Sequence, residues 1–341
     1  MRGALLEGAS RRLKASNRGH RQRYITLDVD SFPIEVNGHQ PGSEFNAHYG
    51  EQIFHPLIAT AAEIGDILDV KLRPGAVHTA EGGLNFILDL VKEAKSKLCQ
   101  VAAIRFDAGF PDEETLSGLE GENVPYVARI KNNSVLNRLA EPHLKRPVGR
   151  PPSEPRTWTV EMNYKAASWS KERRVVLVLT EKPGELFLHH FWLVTSWSEA
   201  EMSAEDLLPH YRQRGTAEAT FGELMETISP VLSSNIRPKT HYRGNALPGS
   251  KRLNLSFWTN EVRLILAALA YNLAHAVRSV TETAVGEGMT IKRVKERFLR
   301  VASRITTHAR KATVIVAEDV RDRWNEIWRQ ISILDLTESS A

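Results

Sequence analysis

The stretch YITLDVDS (Tyr24 to Ser31) alternates Ile25, Leu27 and Val29 with Thr26, Asp28 and Asp30. Period-two alternation marks a β-strand with one apolar and one wet face, so both aspartates are carried on the same side. Three further apolar runs, PIEVNG (Pro33 to Gly38), HPLIATAAE (His55 to Glu63) and ILDVKLRPG (Ile67 to Gly75), are bounded by Gly, Asp and Pro. They predict the remaining strands of an antiparallel meander. The period then changes. From Thr79 to Leu98 the apolar residues Leu84, Ile87, Leu88, Val91 and Ala94 recur at helical spacing, and Lys92, Lys95 and Lys97 gather where the helix dipole favours cations. VAAIRF (Val101 to Phe106) predicts a buried strand that must turn at Asp107, Gly109 and Pro111. A helix over Asp112 to Asn123 and a strand over Tyr126 to Ile130 follow.

KRPVGRPPSEPR (Lys145 to Arg156) holds Pro147, Pro151, Pro152 and Pro155, which exclude interior helix and central strand. It marks a boundary or an exposed loop. Trp158 to Lys165, Arg174 to Glu181 and Leu186 to Ser196 then predict an inserted β unit. One helix is expected from Ser203, as N-cap, to about Ile228. After an irregular basic loop, Pro230 to Ser256, come an apolar helix (about Asn260 to Thr283), a basic helix (Thr290 to Thr307), a short strand ATVIVA and a helix near Val320 to Ile331. The order predicts an α/β fold with a mixed sheet, a β-strand insertion before the helix at Ser203, and a C-terminal helical region. The expected units are a basic leader (1–22), the first part of the core (23–144), the proline-rich loop and β insertion (145–200), the core's completion (201–285) and a basic helical region (286–341).

Composition narrows the class. With 341 residues, 42% apolar and 25% charged, the chain is of globular type and long enough for about two domains. Its single cysteine, Cys99, excludes an internal disulfide and a cysteine-rich zinc module, so a cytoplasmic protein is expected. The longest apolar stretch, Leu264 to Val277, is shorter than a bilayer span and contains Asn272 and His275, so no membrane association is expected. The net charge of +4 conceals two basic segments. Residues 1–24 carry seven Lys/Arg against Glu7, and residues 289–311 carry eight against Glu296, leaving the rest of the chain at −9. An acidic body with basic flanks suits an enzyme that holds divalent cations and an anionic polymer, and it equally describes a protein with solvated charged faces.

Asp30 and Asp107 each sit on or just after a strand, and Glu218 lies on the helix after the insertion. On a continuous helix Tyr211, Arg214, Glu218 and Met225 share one face with Leu207 and Phe221. Charges in a packing row are costly unless function or an internal ion pair retains them. Alternatively Arg214 and Glu218 form a solvated i, i+4 pair. Three carboxylates supply the hard oxygen ligands and open positions that hold two Mg²⁺ around a scissile phosphate, although a strand-end Asp is also a common turn or cap residue.

YRQRGTAEATFGELM (Tyr211 to Met225) resembles the Y-x2-R-x3-E-x6-K signature of bacterial insertion-sequence DDE transposases at Tyr211, Arg214 and Glu218. ITLDVDS and IRFDAGF (Ile104 to Phe110) resemble that family's two aspartate strands, and HYGEQIFHPLIA, LRPGAVHTAEG and ALAYNLAHAV extend the similarity from about Arg21 to Val316. The resemblance implies a ribonuclease-H-like mixed sheet and metal-dependent DNA strand cleavage and strand transfer at insertion-sequence ends. It implies Asp30, Asp107 and Glu218 as ligands of two Mg²⁺ ions, with Mn²⁺ able to substitute, and Tyr211 and Arg214 as contacts to DNA phosphates. The partners implied are the terminal inverted repeats, target DNA and a second copy of the chain in a synaptic homodimer. Asp30 is preferred to Asp28 because Ser31 follows it, as Ser or Thr follows the family's aspartate, and Asp28 is the second choice. Met225 stands where the signature has Lys, which turns attention to Arg237 and Lys239. Lys292 and Arg293 of the basic helix are further candidate DNA contacts. Relatives carry a longer N-terminal region, so a truncated or catalytically inactive remnant that only binds DNA is the alternative expectation, and a nuclease that cuts without joining is another.

Other features have ordinary and functional readings side by side. VGRPP (Val148 to Pro152) is a proline-rich loop or a minor-groove hook. Trp169, Trp192 and Trp197 are core residues or base-stacking ones. His189 and His190, adjacent on a strand, face opposite sides and make a poor metal pair.

Overall fold

The computed structural model describes residues 2–16, 23–36, 40–150, 152–233, 249–286, 288–308 and 311–338. Helix α1 (Arg2–Ser16) opens the chain where a basic leader was expected. Leu5, Ala9 and Leu13 recur every fourth residue and are buried with Leu6, so the charge count concealed an apolar stripe. Strand β1 (Tyr24–Ser31) is covered on both faces over most of its length. PIEVNG does not join the meander. Only β2 (Ile34–Glu35) forms there, and with β3 (Glu44–Asn46) and β4 (Glu51–Phe54) it makes a separate three-stranded sheet in the order β2-β4-β3.

β5 (Leu57–Ala61) pairs antiparallel with β1 and with β6 (Ile67–Lys71), which gives the expected meander. Helix α2 (Gly83–Lys97) crosses to β7 (Gln100–Phe106), which lies parallel to β1. Helix α3 (Glu113–Gly121), capped by Asp112 accepting from the Thr115 amide, crosses to β8 (Tyr126–Ile130), parallel to β7. After α4 (Ser134–Ala140), strands β9 (Arg156–Tyr164), β10 (Arg173–Glu181) and β11 (His189–Thr195) follow at nearly the expected positions. They are not a separate unit. β11 pairs antiparallel with β8, and all three extend one eight-stranded sheet in the order β6-β5-β1-β7-β8-β11-β10-β9.

The helix expected from Ser203 is two helices, α5 (Ala204–Arg212) and α6 (Gly215–Thr227), parted at Gln213 and Arg214. Ser203 caps α5 by accepting from the Asp206 amide. Helix α7 (Gly249–Val285) is longer than expected, and by length and composition alone Ser256–Val285 could cross a membrane. Its Leu264, Ile265, Ala268 and Tyr271 are buried in an apolar cluster with α6 and the sheet. The basic helix ends early. α8 (Ile291–Val294) runs into a π-turn through Leu299, and Ser303–His308 is strand β12, paired antiparallel with β13 (Lys311–Val316). Helix α9 (Glu318–Glu338) ends the described chain.

Helices cover both faces of the sheet. Leu27, Val29, Ile104 and Phe106 point into a cluster that includes residues of α1, α2, α3 and α4. The opposite face meets α5 through Val127, Val176 and Leu193, and meets α6 and α7 through Ile58 and Val70. Thr26, Asp28 and Asp30 lie on this second face, sandwiched against helices rather than left in water.

Candidate active site

The register explains how the two aspartates of β1 come to differ. Asp28 lies directly across from Arg105 of β7. Arg105 Nε donates to Asp28 Oδ1 at 2.6 Å and Nη2 to Oδ2 at 2.8 Å, a fork-to-fork pair. The same guanidinium donates to the His210 carbonyl at 2.6 Å and to Gln213 Oε1 at 3.2 Å, which ties the sheet to the end of α5. Burial pushes the Asp28 carboxyl up, and Arg105 opposes that shift. Both of its oxygens accept from Arg105, which makes Asp28 part of a buried internal pair.

Asp30 is two residues on, and its surroundings are of another kind. Its carboxylate accepts from its own chain at the Ser31 amide, 2.8 Å, and from Arg214 Nη2 at 2.5 Å. Arg214 Nη1 donates to Glu218 Oε1 at 2.7 Å, so one guanidinium bridges a strand carboxylate and a helix carboxylate. Arg214 is buried, with Nε lacking a partner, whereas the Glu218 side chain is 61% exposed. The pair is therefore not a solvated i, i+4 contact. Asp107 follows β7 and accepts from the Gly109 amide at 2.8 Å, as a turn aspartate does, and its charge is felt by Asp30, Arg214 and Tyr211. Asp30 and Asp107 thus lie at the C-terminal ends of the parallel strands β1 and β7, the end at which open α/β sheets place their ligands, and Glu218 is tied to Asp30 through Arg214.

Burial pushes the Asp30 carboxyl up to about 7, and the charges of Asp107 and Glu218 add to it, against Arg214 and the Ser31 amide. Burial works against the Arg214 cation, but Asp30, Tyr211, Asp107 and Glu218 together hold it above its ordinary range. Burial also raises the Tyr211 hydroxyl.

The donor set is all hard oxygen and carries more negative charge than Arg214 alone offsets, which suits Mg²⁺ or Mn²⁺. Among the described residues, however, no three acidic, His or Cys side chains are gathered closely enough to hold a metal. In this structure the Arg214 guanidinium stands between Asp30 and Glu218, bonded to both.

The remaining predicted residues divide. Tyr211, in the last turn of α5, belongs to the cluster electrostatically. Gln213 and Arg214 part α5 from α6 but keep right-handed helical backbone, and Met225 packs against the apolar cluster that α6 shares with α7. Lys292 pairs with Glu226 at 2.9 Å, eight residues beyond Glu218 and so about 12 Å along α6, and Arg293 is exposed beside it. The structure does not bring these two to the carboxylates. Arg237 and Lys239 lie outside the described residues. Trp169 and Trp192 are buried core residues, and Trp197 is half-buried, its ring perpendicular to that of His210.

Two residues not selected from the sequence join the site. Tyr49, its hydroxyl raised by burial and by the charges of Asp30 and Asp107, stacks edge-on against His55 at 5.8 Å between ring centres. His55 Nδ1 meets the Val77 carbonyl at 3.1 Å, its Nε2 is buried without a partner, and burial lowers its pKa. Both lie in HYGEQIFHPLIA, where two polar rings beside a Gly and a Pro were the available signal.

The chain belongs to the transposase DDE domain family: the profile of "Transposase DDE domain group 1" matches residues 10–229 and 246–334. No curated protein matches it. Among solved structures it is similar to a piggyBac transposase in a synaptic complex with hairpin DNA, at 10% identity and a TM-score of 0.41, over 94% of this chain. The chain spans 55% of that protein's length.

Proposed function

We propose that this DDE transposase cleaves and transfers DNA strands at the ends of a bacterial insertion sequence, with Asp30, Asp107 and Glu218 as its catalytic carboxylates. The observation that carries this reading is that Arg214 bonds both Asp30 and Glu218 at the C-terminal end of β1, where the neighbouring parallel strand β7 ends at Asp107. The strand order β6-β5-β1-β7-β8, a meander followed by two parallel crossovers, supports a ribonuclease-H-like core.

Asp30, Asp107 and Glu218 would hold Mg²⁺, or Mn²⁺ in its place; such ions activate the attacking hydroxyl and stabilise the leaving oxygen. The chain's own residues prepare that site. The Gly109 amide fixes one Asp107 oxygen and leaves the other to the cluster. Arg214 keeps two carboxylates in reach of each other while no other cation is present. Tyr211 and Arg214, beside the carboxylates, are placed to hold a DNA phosphate next to the cut, in keeping with their position in the Y-R-E part of the signature. Glu218 is the most exposed of the cluster and the first that an incoming strand meets. Terminal inverted repeats, target DNA and a second copy of the chain are the partners on this reading, and the cytoplasm is where it would act.

The test is cleavage of a labelled duplex carrying the element's terminal inverted repeat with Mg²⁺ or Mn²⁺. Metal-dependent nicking by the wild type, reduced by more than about a hundredfold in both Asp107→Asn and Glu218→Gln, is expected, since even groups behind a metal ligand can cost that much. A chain that binds this duplex but never cuts it with either metal contradicts the proposal.

A further inference from the structure

A cavity lies at the C-terminal end of β6, bounded by that strand, the loop that follows it and α7. It has a volume of about 490 Å³, and Lys71, Arg73, Pro74, Phe257, Trp258 and Glu261 are among its walls. That is within the range of small-ligand pockets.

Its floor is a buried cation. Arg73 is only 5% exposed, and its guanidinium is held by carbonyls: Nε donates to His55 at 2.8 Å, and Nη1 to Thr79 at 3.0 Å and Glu81 at 2.7 Å. Nη2 is buried with no partner. Among the described residues no carboxylate stands within ion-pair distance of it, in contrast to Arg105, Arg173 and Arg214. Carbonyl dipoles offset a full charge only in part, and burial accordingly lowers the Arg73 pKa to about 10. Lys71, two residues earlier on β6, projects on the same side and adds a second cation to the wall.

Across the cavity stands an aromatic pair. Phe257 seats against Gly42, whose φ of +82° suits glycine and where a Cβ would come within 2.6 Å of the Phe257 ring. Trp258 is 59% exposed, so core packing does not account for its position. Cations on one side and an open indole on the other are the complement of a nucleotide, with phosphate toward the first and base toward the second. Glu81 and Glu261 at the walls make a bare inorganic anion a poor fit, and they can accept from the amino group of a base.

We propose that this cavity binds a nucleotide unit, its phosphate facing Lys71 and Arg73 and its base stacked on Trp258. This rests on the DNA-processing reading above and deepens it. Lys71 pairs with Leu57 of β5, which pairs in turn with Ser31 next to Asp30, so an unpaired nucleotide held here lies at the same end of the sheet as the carboxylates, two strands away. The same chemistry is offered by a free nucleotide.

The test uses the full chain and its Trp258→Ala and Lys71→Ala variants, both at accessible positions and checked for folding by circular dichroism. Binding is measured for a blunt duplex, the same duplex with a short single-stranded extension, dTMP and inorganic phosphate. The extension should tighten wild-type binding about tenfold over the blunt duplex, with less than about a twofold gain over its own blunt-duplex affinity in Trp258→Ala and a reduced gain in Lys71→Ala. Binding of dTMP that Trp258→Ala abolishes, without any effect of the extension, supports the cavity with a free nucleotide as occupant. Duplex binding in which neither the extension nor dTMP distinguishes wild type from Trp258→Ala overturns the proposal. If no DNA is bound at all, the DNA-processing reading fails, and the dTMP arm alone decides the cavity.

Discussion

Asp28 and Asp30 lie on one face of one strand, each salt-bridged to an arginine, yet their surroundings make one a lock and the other a poised site. Asp28 meets Arg105 across neighbouring strands, with side chains 2% and 1% exposed, and every charged-group contact is internal. Asp30 meets Arg214, whose partner on the far side, Glu218, opens to solvent. Breaking a buried pair leaves an uncompensated charge, whereas an open bridge can exchange its cation for another at modest cost. Similar chemistry therefore separates into a sealed pair and an open one through the exposure of the second partner, and the proposed function assigns the open one to catalysis.

The strongest way to break this comparison is Arg105→Ala. It leaves Asp28 buried without its counter-ion and detaches α5 from the sheet, so a loss of about 3–5 kcal/mol is expected in urea unfolding. Arg214→Gln should cost less, about 1–2 kcal/mol, because Asp30 keeps the Ser31 amide and can take up a proton. The pH dependence sharpens the contrast further. With its folded pKa raised to about 7, Asp30 binds its proton more tightly in the folded chain than in the unfolded one, so stability falls as pH rises from about 4 to 7. That decline, of order 3 kcal/mol, should be absent from Asp30→Asn in denaturation curves taken across this range. Smallest of all, Glu218→Gln should move the unfolding free energy by less than about 0.5 kcal/mol, since its carboxylate is mostly in water.

Local patterns made much of this legible. Period-two alternation located β1, and turn residues bounded β5, β6 and β7. The same alternation could not choose between Asp28 and Asp30, because the deciding partner, Arg105, is 77 residues away. Pairing at the sheet edge was equally silent: the pattern located β9, β10 and β11 but not that β11 would bind β8. The basic residues of 290–307 suggested a helix, but β-branched Ile305, Thr306 and Thr307 favour a strand, and β12 forms. Helical spacing also missed the break at Gln213 and Arg214, although Arg214 still reaches Glu218 across it. The cavity joins Lys71 and Arg73 to Phe257 and Trp258, which no short motif links.

The central claim is that the open cluster, and not the sealed pair, takes the divalent ion. The most direct test is a Mn²⁺ titration followed by electron paramagnetic resonance, on the full chain with an uncleavable duplex, at a temperature where each variant is folded. Ion binding that survives Asp28→Asn and is lost in Asp107→Asn and Glu218→Gln is the predicted result. Equal binding by the wild type, Asp107→Asn and Glu218→Gln would contradict it.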